Sequence, residues 1–228
     1  MNLKRLFALF LGILLYAFGI VLSIEANLGI APWDAFHQGL STLTGITMGQ
    51  AGIGVGLLIL IVNYWLKEKI GLGTIVNILG IGLMIDFLLY LDIIPTMHSL
   101  VGGITAIVAS MFVIAFGSYF YIGSGYGIGP RDGLMVGLVK KTNKKVGFIR
   151  GVIELSVLVI GVVLGGKIGI GTVLLGIGIG PIVQLTFKFL NFDVSTIKHQ
   201  YLFERNTQVP VEKEEPCKTV HEMSDGLI

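Results

Sequence analysis

The chain has 228 residues, of which 54% are apolar and only 13% are charged, and its formal net charge is +2. Soluble domains usually carry about 25% charged residues, so this composition excludes a soluble globular protein and predicts an integral membrane protein. The single cysteine excludes an internal disulfide framework and a cysteine-based metal cluster. The 33 glycines indicate helices that approach one another closely.

Six apolar runs are long enough to cross a bilayer, which takes about 20 residues of α-helix. In chain order they are Leu6–Ile24, Met48–Leu66, Ile70–Tyr90, Val101–Ile122, Val146–Leu164 and Ile168–Leu190. The first run follows Lys4 and Arg5 as a signal peptide would, but it is long and no small-residue cleavage site follows it. We interpret it as an uncleaved span. Because the runs are continuous and do not alternate in polarity, a membrane β-barrel is not expected.

Basic residues between the runs predict the orientation of the chain. They form four groups: Lys4 and Arg5; Lys67 and Lys69; Lys140, Lys141, Lys144, Lys145 and Arg150; and Lys188, Lys198 and Arg205. With six spans and a cytoplasmic N-terminus, all four groups fall on the cytoplasmic side, where Lys and Arg concentrate. The prediction is therefore a multi-pass protein of the bacterial cytoplasmic membrane with both termini in the cytoplasm.

The sequence repeats itself at a shift of 98 residues. Between 17 and 82, 23 of 66 positions are identical to those 98 residues later, without a gap. Each copy holds three spans, and an odd number turns the second copy over. We therefore predict an all-α membrane protein built as two inverted three-helix repeats, residues 1–92 and 93–190. Residues 191–228 are more polar and predict a cytoplasmic tail, partly disordered.

A short motif, Gly-Ile-X-Pro-X-Asp, follows the first span of each copy. Gly29 or Gly127 ends the preceding helix or bends the chain, and Pro32 or Pro130 suits the first position of a new helix. The new helix has about nine to thirteen residues, too few to span, and is interfacial or re-entrant.

The same motif places a carboxylate, Asp34 or Asp132, in the first turn of the short helix, where it favours the positive end of the helix dipole. Two roles are open for these aspartates: holding the start of the helix, or lining a pathway for an ion or solute. Small residues at i and i+4, Ala35 with Gly39 in the first copy, predict close packing on a neighbouring helix.

Few other polar residues lie within the spans. Glu154 follows Arg150 by four residues, so the two predict either a local ion pair or a carboxylate in a central cavity. Asn63 and Asn77 are expected to bridge helices through side-chain hydrogen bonds. Trp33 is expected in an aromatic belt and His37 at the outer interface. Arg131 stands where the first copy has Trp33, and we interpret this difference as suited to the cytoplasmic face.

The candidate pathway residues are thus Asp34, Asp132, Glu154 and Arg150, and no catalytic or metal-ligating set is predicted. No nucleotide-binding loop with its Lys-Ser/Thr, serine-nucleophile elbow or zinc motif is present, so an enzyme is not expected. The pair Cys217 and His221 is too small a set for a structural metal site. No cofactor and no nucleic-acid partner are predicted.

The order of these features resembles the YczE/YyaS/YitT group of bacterial integral membrane proteins, and most of all its YczE-like branch. The features are a short first span, the Gly-Ile-X-Pro-X-Asp helix, and a later span that opens on Gly-X-Gly-Thr at Gly71–Thr74. The resemblance covers Leu3 to about Phe192. It implies a bacterial cytoplasmic membrane protein and transfers no binding or catalytic residues. The tail after Phe192 does not match the soluble C-terminal domain of YitT-type members.

Two functions follow as hypotheses. The first is a secondary transporter of a small metabolite or ion, in which the two repeats act as half-gates. The second is a non-transporting scaffold or accessory protein that acts on a protein partner through its basic loop and tail. The bilayer is the expected surrounding, and a homodimer is a further hypothesis because six helices make a thin wall around a pathway.

Overall fold

The computed structural model describes residues 3–194, 197 and 201–203. Within this part of the chain there are eight α-helices and one two-stranded sheet. They are α1 (Leu3–Glu25), α2 (Pro32–Thr44), α3 (Met48–Trp65), β1 (Ile70–Gly71), α4 (Leu72–Leu91), α5 (Leu100–Gly123), α6 (Pro130–Thr142), α7 (Val146–Val163), α8 (Ile170–Phe189) and β2 (Tyr201–Phe203).

Six of these helices are long and apolar enough to cross a membrane: α1, α3, α4, α5, α7 and α8. The six spans predicted from the sequence are confirmed, with ends that agree within three residues. Most large apolar side chains on their outward faces are exposed, as in Leu58 (64%), Leu83 (62%) and Leu155 (62%). In water such a surface would be unstable, whereas in a bilayer it meets lipid.

The two short helices, α2 and α6, have thirteen residues each and begin at the predicted prolines, Pro32 and Pro130. Proline suits this first position because it has no N–H that would lack a partner. Each helix ends on a residue in the left-handed region, Gly45 (φ +76°) or Asn143 (φ +54°). At about 20 Å, neither helix can cross a bilayer.

Helices α1 and α5 cross at the centre of the protein with almost no side chain between them. A Cβ atom on Gly12 would lie 2.6 Å from the backbone nitrogen of Tyr121, and one on Gly117 would lie 2.8 Å from the backbone nitrogen of Tyr16. Glycine is required at such contacts because any larger residue would force the two backbones apart. This crossing is called the α1–α5 contact below.

The loops that precede α2 and α6 are held by the starts of α8 and α4. The backbone nitrogen of Gly171 donates to the carbonyl of Leu28 (2.7 Å), and that of Gly73 donates to the carbonyl of Tyr126 (2.8 Å). The next residue of each loop turns with a positive φ, +100° at Gly29 and +128° at Gly127. Glycine adopts this conformation at little steric cost, so the predicted chain bend at both positions is confirmed.

The two halves differ in how their last two helices pack. Gly49 of α3 lies against the carbonyl oxygen of Gly82 on α4, and its backbone nitrogen donates to Asp86 Oδ1 (2.7 Å). The residues 98 positions later, Gly147 of α7 and Gly180 of α8, would each have a Cβ with no heavy atom beyond its own helix within 4 Å, among the described residues. Thus α3 and α4 are closely packed, while α7 and α8 leave a gap, called the α7–α8 seam below.

The first residues of the predicted tail pack on the helical bundle. Phe192 makes edge-to-face contacts with Tyr119 and Phe187, with ring centroids 4.8 Å and 5.1 Å apart. Strand β2 then pairs antiparallel with β1, and the Lys69 ammonium lies 5.2 Å from the centroid of the Tyr201 ring. No pattern in the sequence predicted this pairing. The remainder of the tail, with Cys217 and His221, lies outside the described residues.

Candidate solute site

Two adjoining cavities lie inside the bundle, one of about 400 Å³ and one of about 160 Å³. They share walls formed by α1, α5 and α8, where the lining residues Tyr16, Ile114 and Ile179 stand near the middle of their helices. The pair, called the central cavity below, therefore lies about halfway along the spans. A volume of this size accommodates a small metabolite.

The first turns of α2 and α6 both open onto the central cavity. Asp34 and Asp132 line it from these turns, and neither helix start is capped by a side chain. The two turns are close together, because the Arg131 guanidinium carbon lies 4.7 Å from the centroid of the Trp33 ring. Two helix N-termini, each with a partial positive charge, therefore converge on one space within the protein.

The short helices are held there by close contacts with the ends of the long ones. Gly39 of α2 packs against the carbonyl of Gly161 on α7, and Gly133 of α6 packs against the Asn63 side chain on α3. Asn63 Nδ2 also donates to the carbonyl of Pro130 (2.8 Å), so the predicted interhelical role of Asn63 is confirmed. Because these anchors are buried, the motif helices are fixed relative to the spans.

Helix α7 contributes an ion pair to the same cavity. Arg150 Nε donates to Glu154 Oε1 (2.9 Å), one turn along the helix, and both residues line the cavity. The two alternatives considered for Glu154 are thus both present: it is in a local pair and it faces the cavity. The positions 98 residues earlier are Gly52 and Gly56, so the first half has no equivalent pair.

The two aspartates of the motif have different surroundings. Asp34 is only 4% exposed, and its Oδ1 atom has no hydrogen-bond partner among the described residues. His37 is 5% exposed, and its Nδ1 atom lies 4.0 Å from Asp34 Oδ1. Asp132, in contrast, is exposed to the space of the cavity. Burial raises the pKa of Asp34, and a ligand that supplied a hydrogen bond or a positive charge would offset the cost of its ionised form.

All four sequence-predicted pathway residues line this one cavity: Asp34, Asp132, Glu154 and Arg150. Of the motif backbone residues, Pro32 and Pro130 also line it, whereas Gly29 and Gly127 lie in the supporting loops.

Sequence reasoning also misplaced some residues. The expectation that His37 faces the outer interface is wrong, because it is buried at the large cavity. The placement of Trp33 in an aromatic belt is also wrong, because its ring stacks with Arg131 in the cavity. Arg131 itself is a cavity residue and does not simply mark the inner face. Tyr16 and Tyr121 were missed, and the presence of a tyrosine within an apolar span was the available signal.

In the part of the chain that the structure describes, eight helices, six of them able to span a membrane, and a half-depth cavity with charged side chains in its wall define a multi-pass α-helical membrane protein. Comparison with known proteins identifies its family. Residues 3–188 match the model of a family of unknown function, DUF6198, and the chain belongs to that family.

Among the relatives is YczE, an uncharacterised membrane protein of Bacillus subtilis, which is 36% identical over 82% of this chain and 88% of that protein. An uncharacterised protein of Haemophilus influenzae is 33% identical over 79% of this chain and 83% of its own length. The uncharacterised protein YyaS of Bacillus subtilis is 30% identical over 72% of this chain and 83% of its own. These relatives confirm the resemblance found from the motifs. No solved structure matches the chain.

Proposed function

We propose that the protein is a secondary transporter of a small amphipathic metabolite in the bacterial cytoplasmic membrane. The observation that carries the proposal is the convergence of two broken-helix N-termini, with Asp34 and Asp132, on a cavity at half-depth of the bundle. Transporters of several folds place their solute sites at such interrupted helices near the midplane, because a spanning helix has no free backbone groups there.

The two halves are proposed to be inverted repeats. The bounds of α6, α7 and α8 equal those of α2, α3 and α4 shifted by 98 residues. The contacts between the halves are also reciprocal: the bond from Gly73 to Tyr126 has its counterpart in the bond from Gly171 to Leu28. Exchange of partners in this way is what a pseudo-two-fold axis produces, and three spans per half require that axis to lie in the membrane plane.

The difference between the halves supports alternating access. Helices α3 and α4 are closed on each other at Gly49 and Gly82, while the α7–α8 seam is open at Gly147 and Gly180. In an inverted repeat, the alternative state would exchange these arrangements, so that the seam closes and α3 separates from α4. The central cavity would then be reached from the other side of the membrane.

A topology experiment tests the inverted arrangement. The repeat mates Leu43 and Lys141 are both exposed near the ends of the short helices. Each is replaced by cysteine in a Cys217→Ser background and labelled with a membrane-impermeant thiol reagent. Leu43→Cys is expected to react in intact cells, and Lys141→Cys only after the cells are opened, which also places both termini in the cytoplasm. Labelling of both from one side would contradict the inverted repeat.

Transport itself is tested with the purified protein in proteoliposomes that contain a pH-sensitive dye and a set membrane potential. Amines, amino acids, organic acids and sugars are added in turn, and uptake is followed by the dye and by radiolabelled counterflow. The expected result is saturable uptake of one solute class, lost in Asp132→Asn and retained in Asp92→Asn. Asp92 is exposed and has a left-handed backbone that asparagine adopts well. No uptake of any class would favour the scaffold hypothesis.

A further inference from the structure

We propose that Asp34 anchors the protonated amino group of an organic amine, whose apolar body lies in the large cavity. This inference rests on the proposed transport function, since it names the chemical class of the solute at the same site. It is carried by three independent observations: the hydrogen-bonding groups that lack partners, the balance of charge in the cavity, and the chemistry of its wall.

The buried polar groups at the large cavity that lack partners can each accept a hydrogen bond. Asp34 Oδ1, His37 Nε2 and Tyr121 Oη are buried and have no hydrogen-bond partner among the described residues. All three residues line the large cavity. An ionised carboxylate can only accept hydrogen bonds, a neutral histidine has one acceptor nitrogen, and a tyrosine hydroxyl can accept as well as donate. Asp34 and His37 are neighbours, with Oδ1 and Nδ1 4.0 Å apart, so a primary ammonium group, with three donors and a positive charge, matches this pair.

The charge balance points in the same direction. The central cavity holds three carboxylates, on Asp34, Asp132 and Glu154, and two guanidinium groups, on Arg131 and Arg150. With all five groups ionised, one negative charge is in excess. Both guanidinium groups already have partners within the cavity wall. Arg150 is paired with Glu154 at 2.9 Å, and Arg131 stacks on the Trp33 ring at 4.7 Å. A bound cation would therefore balance the net charge of the cavity better than a bound anion would.

Much of the wall of the large cavity is apolar. Its wall includes Ile20, Ile78, Ile81, Ile114 and Ile179, from α1, α4, α5 and α8. A solute with charge over its whole length would leave these side chains against polar atoms, whereas a hydrocarbon or aromatic body would gain about 25 cal/mol per Å² of apolar surface removed from water. The fitting ligand therefore has one ammonium group and an apolar body.

The two motif aspartates are not equivalent in this respect. Asp34 is buried beside His37, and the position 98 residues after His37 is Met135, which has no titratable group. Asp132 is exposed, and two guanidinium charges, on Arg150 and Arg131, act on it, whereas only that of Arg131 acts on Asp34. The amine site therefore lies in the first half of the chain, at the first turn of α2.

The experiment uses three probes with the same body: 2-phenylethylamine, 2-phenylethanol and 3-phenylpropionate. The purified full-length protein is titrated with each, and binding is followed by the shift of its thermal unfolding midpoint. We expect saturable stabilisation by the amine in the wild-type protein, and an apparent Kd at least tenfold higher for the alcohol and the carboxylate. In Asp34→Asn the apparent Kd of the amine should rise at least tenfold, while in Asp92→Asn it should not change.

The comparison of the three probes on the wild-type protein needs no variant, so it decides the matter even if Asp34→Asn does not fold. Tighter binding of the carboxylate would overturn the amine inference and leave a solute site in place, and so would equal binding of all three probes in a saturable manner. Equal effects of the amine on wild-type protein and Asp34→Asn would remove Asp34 as its anchor. Absence of saturable binding by these probes would overturn the amine site as proposed, and the uptake of other solute classes would decide the transport function separately.

Discussion

Replacement of Gly49 by alanine is expected to destabilise the protein, whereas the same change at its repeat mate Gly147 is not. A Cβ on Gly49 would collide with the carbonyl of Gly82 and lie 2.5 Å from the carboxyl carbon of Asp86. Neither group can move freely, because one is helix backbone and the other accepts hydrogen bonds from the backbone of Gly49 and the hydroxyl of Thr47.

The expected change in the free energy of unfolding is the sum of two losses and one gain. Overpacking of a close contact costs about 1–3 kcal/mol, and loss of a hydrogen bond to Asp86 adds about 1 kcal/mol. Alanine regains about 0.5–1 kcal/mol over glycine inside a helix. The net loss for Gly49→Ala is then roughly 2 kcal/mol. Gly147 and Gly54 have open space around their Cβ positions. Gly147→Ala and Gly54→Ala should therefore show only the stabilisation that alanine provides over glycine inside a helix.

The assay is thermal unfolding in detergent, followed by intrinsic tryptophan fluorescence. For a chain of this size 1 kcal/mol corresponds to about 2–4 °C in the unfolding midpoint. Gly49→Ala should therefore unfold roughly 5–10 °C below Gly147→Ala, and Gly54→Ala should behave like Gly147→Ala. If Gly147→Ala lost as much stability as Gly49→Ala, the α7–α8 seam would be closed in solution. If neither lost stability, the close packing of α3 on α4 would be wrong.

Two further outcomes are expected from side chains at the cavity. Asn63→Leu removes the buried bond to the Pro130 carbonyl and should lower the free energy of unfolding by about 1–2 kcal/mol. Asn77→Leu, at the cavity wall, serves as its control, and equal losses in the two variants would contradict the reasoning. Arg150→Gln should change stability little, because its pair with Glu154 is partly exposed, yet lower the uptake rate at least tenfold. Normal uptake with a large stability loss would assign the pair a structural role.

The spans and the short helices were predictable because each depends on a local property of the chain. Span length follows from the number of consecutive apolar residues, and the start of α2 or α6 follows from proline at the first helical position. The depth of these short helices was not predictable. It depends on contacts far apart in sequence, such as Gly39 with Gly161, which no local pattern encodes.

The pattern of charged residues predicted side-chain locations less reliably than apolar runs and prolines predicted the helices. Arg131 fits the general excess of basic residues on the inner side, and only the stacking on Trp33 shows that it belongs to the cavity. The unequal packing of the two halves was hidden as well, because Gly49 and Gly147 are identical in sequence. Bulky Arg150 and Glu154 stand on α7 where α3 has Gly52 and Gly56, and this difference accompanies the opening of the seam.

The α1–α5 contact has a consequence for how the family can diversify. Backbone meets backbone at Gly12 and Gly117, so a substitution there has no side-chain space to use. The side chains of the cavity wall, in contrast, have free volume in front of them. A substitution there alters the shape of the site without moving α1 relative to α5. Selection can therefore retune what the protein accepts by exchanging wall residues such as Ile78 or Ile179, while the crossing of α1 and α5 stays constant.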